Sequence, residues 1–373
     1  MSIQKKYNVI GIMSGTSIDG LDCSYMTTDG ENLVSIKFEK TYKYSQNYRS
    51  KLKKIIKNLN KKKLIKINQY VKNQEGIVTN KFIQIIKKFI KEYNIKYSSI
   101  DYIGISGQTV FHDPKNKKTI QLGSCKKIQK IIKLKIVGNF RENDIKNGGQ
   151  GAPIAAFYHN YILKNFLPSA IILNLGGIAN ISVVSKEKLI AFDVGTANVL
   201  IDDLMYHFYK KNYDKDGKIA FKGKINQEII NKYKNDSYFN LQYPKSLDRE
   251  YFKIYFDKLK ILKKNNAILT ASIMTIEGIN LGLKLINKKI KTLILTGGGR
   301  KNLFIFNKLK KELVKINIKL NIIDKYGYNG DLLEAQMFGY LAVRSLKKMP
   351  LSLPSTTGVK KPVSGGTLNG KFN

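Results

Sequence analysis

The sequence predicts an α/β protein of two lobes, each a mixed sheet flanked by helices, and three observations carry that prediction. The chain has 373 residues, and single cores stop growing near 250–300 residues, so two lobes are expected. Short apolar, β-branched runs alternate with longer segments whose Ile, Leu and Phe recur at helical spacing. Each half also opens on the same unit, a strand, a glycine turn and a second strand, at 11–20 and again at 174–180.

Taken in order, "KYNVIGIM" and "LDCSYMTT" read as two strands joined by a hairpin-like turn, and "LVSIKFEKTYKYS" alternates as a third. Residues 50–95 are helical in pattern, with "YRSKLKKIIKNL" and "KFIQIIKKFIKEYNI" presenting Ile and Phe on one side and lysines on the other. "IDYIGIS" is a short buried strand, "GQTVFHDP" a loop, and "LKIVGNF" a strand that closes the first lobe near residue 138. The second lobe, 139–345, repeats the scheme: "SAIILNLGGIANISVVS" is strand, turn and strand, and "KLIAFDVG" is a third strand. Helices are expected at "INQEIINKYK", over 267–288, at "LFIFNKLKKELVKI" and at "DLLEAQMFGYLAVRSLKK", with a buried strand in "IKTLILTGGGRKN". The Pro-, Gly- and Ser-rich tail reads as irregular, and residues 346–373 are expected to pack back on the first lobe.

Composition excludes several classes. No apolar run approaches the ~20 residues that span a bilayer, and the N-terminus has no export pattern, so a cytoplasmic protein without membrane partners is expected. Two cysteines, Cys23 and Cys125, make no disulfide framework, and with three histidines a structural zinc site is not expected. The formal charge of +39 raises the question of nucleic acid. Only five residues are arginine, the side chain that bidentate phosphate and base recognition favours, and the lysines spread along the whole chain among abundant Ile and Asn. A/T-rich codons explain those three excesses together, so no nucleic-acid partner is expected; a positive field that draws in anionic substrates is a smaller consequence.

Three glycine turns carry the chemistry. "MSGTSIDG" and "NLGGIANIS" are each able to wrap a phosphate, because glycines let backbone N–H groups approach and hydroxyls add donors. "LTGGGRKN" stands at a strand-to-helix junction that favours an anion or a nucleotide. The candidate ATP-binding residues are Gly15, Thr16, Ser17, Ile18, Asp19, Gly20, Leu21 and Asp22 in the first turn, Gly176, Gly177 and Asn180 in the second, and Gly297, Gly298 and Gly299 in the third. None has the spacing of a P-loop or a dinucleotide fingerprint. Alone, each turn reads more readily as a hairpin that needs positive φ; three at the ends of buried strands, split between the halves, do not. Two phosphate turns plus an adenosine-side "GGG" form the pattern of the actin, hexokinase and Hsp70 type of ATPase, with ATP in a cleft between two actin-like (ribonuclease H-like) lobes.

The wording of the chain goes further. It resembles the anhydro-N-acetylmuramic acid kinases nearly end to end, through "GIMSGTSIDGLD", "GQTVFHDP", "NFRENDIKNGGQGAPIAAFYH", "LNLGGIANIS", "FDVGTANVLIDD", "YDKDGKIAFKGKIN", "PKSLDREYF", "LTGGGRKN", "LLEAQMFGYLAVR" and "LPSTTGVKKPVSGGTL". The resemblance implies ATP and Mg²⁺, and a reaction in cell-wall turnover: O6 of 1,6-anhydro-N-acetylmuramate is phosphorylated while water opens the anhydro bridge, giving N-acetylmuramate 6-phosphate and ADP. It also implies that Asp193, in "FDVGTAN", is the base for the water, although a strand-end Asp also caps turns. Arg141 matches an arginine expected near the substrate carboxylate, with a structural salt bridge as its competing role. Gln108, His159 and Glu334 complete the substrate-side candidates, His159 being equally a buried structural histidine and Glu334 a solvated helix carboxylate. Asp19 and Asp22 are candidates for hydrated Mg²⁺, because the end of the first strand holds Ile12 and Met13 where related enzymes carry an Asp. Family members are typically dimers, so a homodimer is expected. Three departures stand out: Ser106 replaces the histidine of "HGQT", Asn139 the acid of "DFR", and "FDVGTAN" the family's "FDTGPGN". They leave a different sugar kinase on the same fold as the alternative, and a basic nucleotide-binding module without activity as a further one.

Overall fold

The computed structural model describes residues 5–15, 17–60, 64–113, 116–166, 169–185, 188–286 and 289–370. Its first strands are β1 (Tyr7–Ser14), β2 (Gly20–Thr28) and β3 (Val34–Lys43), followed by α1 (Gln46–Asn60), α2 (Leu64–Glu92), β4 (Tyr102–Asp113), β5 (Lys118–Leu122), α3 (Cys125–Ile132), β6 (Ile136–Gly138), α4 (Glu142–Lys146) and α5 (Ala156–Phe166). The second series is β7 (Ala170–Leu175), β8 (Ile178–Ser185), β9 (Lys188–Thr196), α6 (Asn198–Tyr209), α7 (Gln227–Lys234), α8 (Lys253–Leu259), α9 (Lys264–Lys284), β10 (Thr292–Thr296), α10 (Leu303–Val314) and β11 (Lys319–Ile322). The chain ends with α11 (Leu333–Leu346), α12 (Pro354–Thr357) and β12 (Thr367–Asn369).

Two compact units result, one formed by the chain up to Tyr158 with Leu332–Pro354 and the residues from Gly358 on, the other by His159–Asp331 with Ser355–Thr357. The first sheet has the order β12-β6-β4-β1-β2-β3, with β5 paired to β4; the second has β11-β10-β7-β8-β9. In both, the first three strands form an antiparallel meander, one later strand joins the first in parallel (β4 on β1, β10 on β7), and another joins that one in parallel (β6 on β4, β11 on β10). The expected duplication of architecture is therefore a duplication of strand order.

The first unit buries one face of its sheet under α1, α2 and α3, in a core that includes Ile10, Ile12, Leu21, Leu52, Phe82, Phe89 and Ile128. The opposite face receives α11. A Cβ added at Gly11 would lie 1.8 Å from the Ala335 carbonyl oxygen, and one at Gly104 2.2 Å from that of Phe338, so glycines in β1 and β4 let the helix backbone touch the strands. This contact is why α11 belongs to the first unit, although the sequence pattern placed it before a boundary at 346; the other expected boundary, at 138, falls inside the same unit. The second unit packs β7, β8 and β9 against α6 and α9 through Ile171, Leu173, Ile181, Phe192, Leu200, Met274 and Ile276.

Three local expectations are corrected. "GQTVFHDP" was expected as a loop, but β4 continues to Asp113 and pairs with β5, taking a register shift between Thr109 and Phe111. In the helical region of 50–95, the second helix starts well before "KFIQIIKKFIKEYNI" and runs for 29 residues, Leu64–Glu92. In the tail, Thr367–Asn369 adds an antiparallel edge to β6 where irregular chain was expected.

Candidate active site

The first turn follows the carboxyl end of β1. Ser14 Oγ donates to Gln108 Oε1 (2.7 Å) and meets Tyr44 OH at 2.9 Å, while Gln108 Nε2 donates to the Gly15 carbonyl at 3.2 Å. Gln108 is fully buried, so its amide shapes the turn rather than facing outward. Ile18 is β-branched and yet left-handed, at φ 54°, a conformation that costs energy and needs support. Its N–H reaches the Gly15 carbonyl at 3.2 Å, and its own carbonyl accepts from Arg49 Nε at 3.0 Å. Ser17 and Asp19 are exposed on the turn, joined by a 2.6 Å hydrogen bond. Gly20 and Leu21 belong to β2: Leu21 is core, and a Cβ at Gly20 would lie 2.8 Å from the Tyr42 carbonyl. Asp22 is half-buried and accepts from Thr41 Oγ1 at 2.6 Å. Thr16 lies outside the described residues.

The second turn is built by different means. Asn198, the first residue of α6, donates through its side-chain amide to the carbonyls of Leu175 (3.0 Å) and Gly176 (2.7 Å), and its N–H also reaches Gly176. Beside the turn, a Cβ at Gly297 would sit 2.5 Å from Asn174 Oδ1 and one at Gly299 2.7 Å from Leu175 Cβ, so the third glycine loop is pressed onto the second turn. Arg300 pins that loop from below, giving both Asp324 oxygens (2.6 and 2.9 Å), Asp331 (2.7 Å) and the Gly297 carbonyl (3.1 Å) a donor. The guanidinium holds the Asp324 carboxyl below its ordinary value. Neither Asn198 nor Arg300 was a candidate on sequence, although each closes a quoted motif.

Asp193 stands on β9 opposite Asn180 of β8, which stands opposite Asn174 of β7, so the three side chains share one face near the carboxyl end of β7. A bulge follows at once: register shifts between Ala179 and Asn180, and Gly195 adopts φ 129°. A Cβ at Gly195 would be 2.2 Å from Tyr233 OH; only glycine fits. Asp193 is 5 % exposed, and its Oδ2 accepts from the Leu247 N–H at 2.8 Å. Asn180 Oδ1 is buried without a partner among the described residues, an acceptor that a hydroxyl or water satisfies.

The glycines test whether a nucleotide fits. A Cβ at Gly15 would meet nothing nearer than Ser17 Oγ at 3.5 Å, one at Gly176 nothing nearer than Asn174 Nδ2 at 3.6 Å, and one at Gly298 nothing within 4 Å. These three have open faces that protein packing does not explain, one in each glycine turn, as backbone cradles for phosphates or a base require.

Of the substrate-side candidates, Arg141 precedes α4 and gives Nη1 to the Gly151 carbonyl at 2.5 Å. Glu334, in the first turn of α11, is solvent-exposed; burial among surrounding chain nevertheless raises its carboxyl pKa, with Arg141 opposing the rise and Asp19 adding to it. Its carboxylate is within electrostatic reach of Arg141 and Asp19. His159 is not in that group. It is 4 % exposed on α5, its Nδ1 lies 2.7 Å from Ser182 Oγ on β8, and burial pushes the imidazole down to about 4, so it joins helix to sheet as a neutral ring. Among the described residues no three His, Cys, Asp or Glu side chains gather as a metal site; exposed Asp19 and half-buried Asp22 are acids of the first turn that could reach a hydrated cation. No helix among the described residues is long and apolar enough to cross a membrane.

Two sheets of one strand order, each opening on a glycine turn, define an α/β protein of the actin-like class. The chain belongs to the anhydro-N-acetylmuramic acid kinase family, whose sequence model matches residues 7–371. It is 36 % identical to the anhydro-N-acetylmuramic acid kinase of Pelagibacter ubique, across 98 % of this chain and 99 % of that one. The enzymes of that name from Zymomonas mobilis and Rhodopseudomonas palustris are 34 % and 33 % identical, each across 96 % of this chain and 99 % and 98 % of theirs.

Proposed function

We propose that this protein is an ATP-dependent kinase that opens the 1,6-anhydro ring of 1,6-anhydro-N-acetylmuramic acid and phosphorylates O6, yielding N-acetylmuramic acid 6-phosphate and ADP in peptidoglycan recycling. Water adds its oxygen to the anomeric carbon, the bond from that carbon to O6 breaks, and O6 takes the γ-phosphoryl group. The water proton goes to Asp193. The observation that carries this assignment is the Asp193 carboxylate itself: buried, held at Oδ2 by one backbone amide, and next to the unpartnered Asn180 acceptor. Such a carboxylate keeps its orientation and is able to accept a proton as positive charge develops on the sugar.

The open faces of Gly15, Gly176 and Gly298 are assigned to ATP. Asp19 and Asp22 would hold Mg²⁺ through water, and the bound cation would neutralise charge on the phosphates. Arg141 is assigned to the lactyl carboxylate and Glu334 to the sugar. A cytoplasmic homodimer of two lobes, with neither nucleic acid nor membrane as partner, completes the reading.

The departures at Ser106 and Asn139 do not favour a different sugar. Ser106 Oγ accepts from the Ser14 N–H at 3.3 Å and donates to the Gly107 carbonyl at 2.8 Å, so it serves the first turn. Asn139 sits at φ 56°, where Asn is among the better-tolerated residues. The test is ADP release with the anhydro sugar against N-acetylmuramate and N-acetylglucosamine. Turnover of the anhydro sugar alone is expected; no ADP with it, but turnover of another, sinks the proposal.

A further inference from the structure

One stretch of the family resemblance, "PKSLDREYF" (244–252), enters the chemistry above only through the Leu247 N–H. In the structure it runs beside Asp193 and is bonded to it. The Asp193 N–H donates to the Lys245 carbonyl at 3.0 Å, Lys245 Nζ donates to the Tyr238 carbonyl at 3.1 Å, and Tyr238 OH donates to the Asp193 carbonyl at 2.7 Å. These bonds close a ring of three residues around the peptide groups that flank the Asp193 Cα. Two residues past Lys245, the Leu247 N–H takes Asp193 Oδ2 at 2.8 Å. Main chain and carboxylate of Asp193 are thus held by Tyr238, Lys245 and Leu247, just before the bulge at Gly195, where the β9 ladder is locally disrupted.

We propose that Tyr238 and Lys245 are positioning residues for Asp193: through the three-bond ring they fix the orientation of its carboxylate toward the water it deprotonates. Neither side chain has an evident competing purpose. Lys245 is only 4 % exposed, has no carboxylate within ion-pair distance among the described contacts, and places its ammonium 4.6 Å from the Tyr238 ring centroid. Burying an ammonium in that way is costly, and burial pushes it down to about 8; a methionine would fill the space more cheaply. The supports continue outward. Asp236 accepts the Tyr238 N–H at 3.0 Å and is itself gripped by Tyr251 OH and Tyr255 OH, and Arg249 ties the far end of the stretch to Asp203 on α6.

The role rests on Asp193 being the base, and the experiment separates the two. Purified Tyr238→Phe, Lys245→Met, their double variant and Asp193→Asn are assayed for ADP release with the anhydro sugar, each with a thermal melt. Tyr238→Phe removes one oxygen and no apolar volume; kcat is expected to fall about tenfold, as small misplacements of a reacting group do, with KM for both substrates and Tm nearly unchanged. Lys245→Met is expected to fall at least as far. The double variant should fall no further than the worse single, because both cut the same ring. An unchanged kcat in Tyr238→Phe overturns the positioning role, as do losses that multiply in the double variant or that appear in KM instead of kcat. If Lys245→Met does not fold, Tyr238→Phe still decides. Asp193→Asn with a tenth or more of the activity removes the base assignment; an inactive Asp193→Asn beside a fully active Tyr238→Phe removes the ring alone.

Discussion

The two hairpin turns share a place in one strand order and differ in how they are built. At the end of the first strand, the row across the first sheet reads Met13, Asp22 and Thr41; across the second it reads Asn174, Asn180 and Asp193. The acid stands on the second strand in one unit and on the third in the other. The first turn is fixed by buried side chains, Ser14, Tyr44 and Gln108, with its exposed acid, Asp19, on the turn itself. The second is fixed by an amide at a helix start, Asn198, and its acid stands beside a bulge, gripped from a separate segment. On the proposed function, a duplicated scaffold assigns one turn to holding charge and the other to moving a proton.

The sharpest way to break that contrast is to neutralise each acid in its row. Asp193→Asn is expected to lower kcat by about a thousandfold, within the range of general-base contributions, while ATP still binds by calorimetry. Asp22→Asn, whose carboxylate already accepts from Thr41, is expected to cost about tenfold or less, mostly in the Mg²⁺ dependence. Equal losses from the two would erase the division of labour.

Acid should separate the helices packed on the two sheets. His159 joins α5 to Ser182 as a neutral ring, its pKa pushed by burial down to about 4, whereas α11 meets β1 through glycine backbone. The unfolded chain binds a proton on this histidine near its ordinary 6.5 and the folded chain only near 4. Stability from this site is therefore full above pH 6.5 and is lost as pH falls toward 4, by up to about 3 kcal/mol. Denaturant melts between pH 7 and 4 should show the slope, and His159→Gln should flatten it.

The strand–turn–strand units and the three glycine turns were legible because hairpin turns and strand-end glycines are written in local sequence. The owner of α11 was not: its Ala–Gly stripe meets glycines more than 200 residues earlier, and nothing local announces that pairing. "GQTVFHDP" read as a loop because Gly and Pro punctuate it, although alternation through Thr109 and Phe111 continues the strand. Among site residues, Asp193 was visible through its motif, and the turn-holding roles of Asn198, Arg300, Tyr238 and Lys245 were not. Those roles exist only when distant segments meet. Gln108 and His159 show the converse, since a polar residue in a quoted motif can be fully committed to structure.

Holding each turn should also cost differently. Gln108 is fully buried and bonds Ser14 and the Gly15 carbonyl; Gln108→Ala removes both bonds, although Ser14 keeps Tyr44 and the Gly15 carbonyl keeps the Ile18 N–H, and should lower stability by about 1–3 kcal/mol. Asn198→Ala removes side-chain bonds to the Leu175 and Gly176 carbonyls but keeps the backbone N–H bond to Gly176, so a smaller stability loss is expected, with KM for ATP up about tenfold as the second turn loosens.

The smallest effect distinguishes glycines that pack from glycines that face a ligand. Gly297 and Gly298 are neighbours, yet a Cβ at Gly297 would strike Asn174 and the Leu175 carbonyl at φ 74°, while one at Gly298 meets nothing within 4 Å. Gly297→Ala should therefore lower Tm, and Gly298→Ala should leave Tm unchanged and raise KM for ATP a few-fold by placing a methyl where the nucleotide lies. Gly15→Ala is the same experiment on the first turn, where the added methyl meets only Ser17 Oγ, at 3.5 Å. If Gly298→Ala and Gly15→Ala bind ATP as the parent does, their open faces are surface and the nucleotide lies elsewhere. If both weaken ATP without moving Tm, the first turn and the third glycine loop both serve the nucleotide.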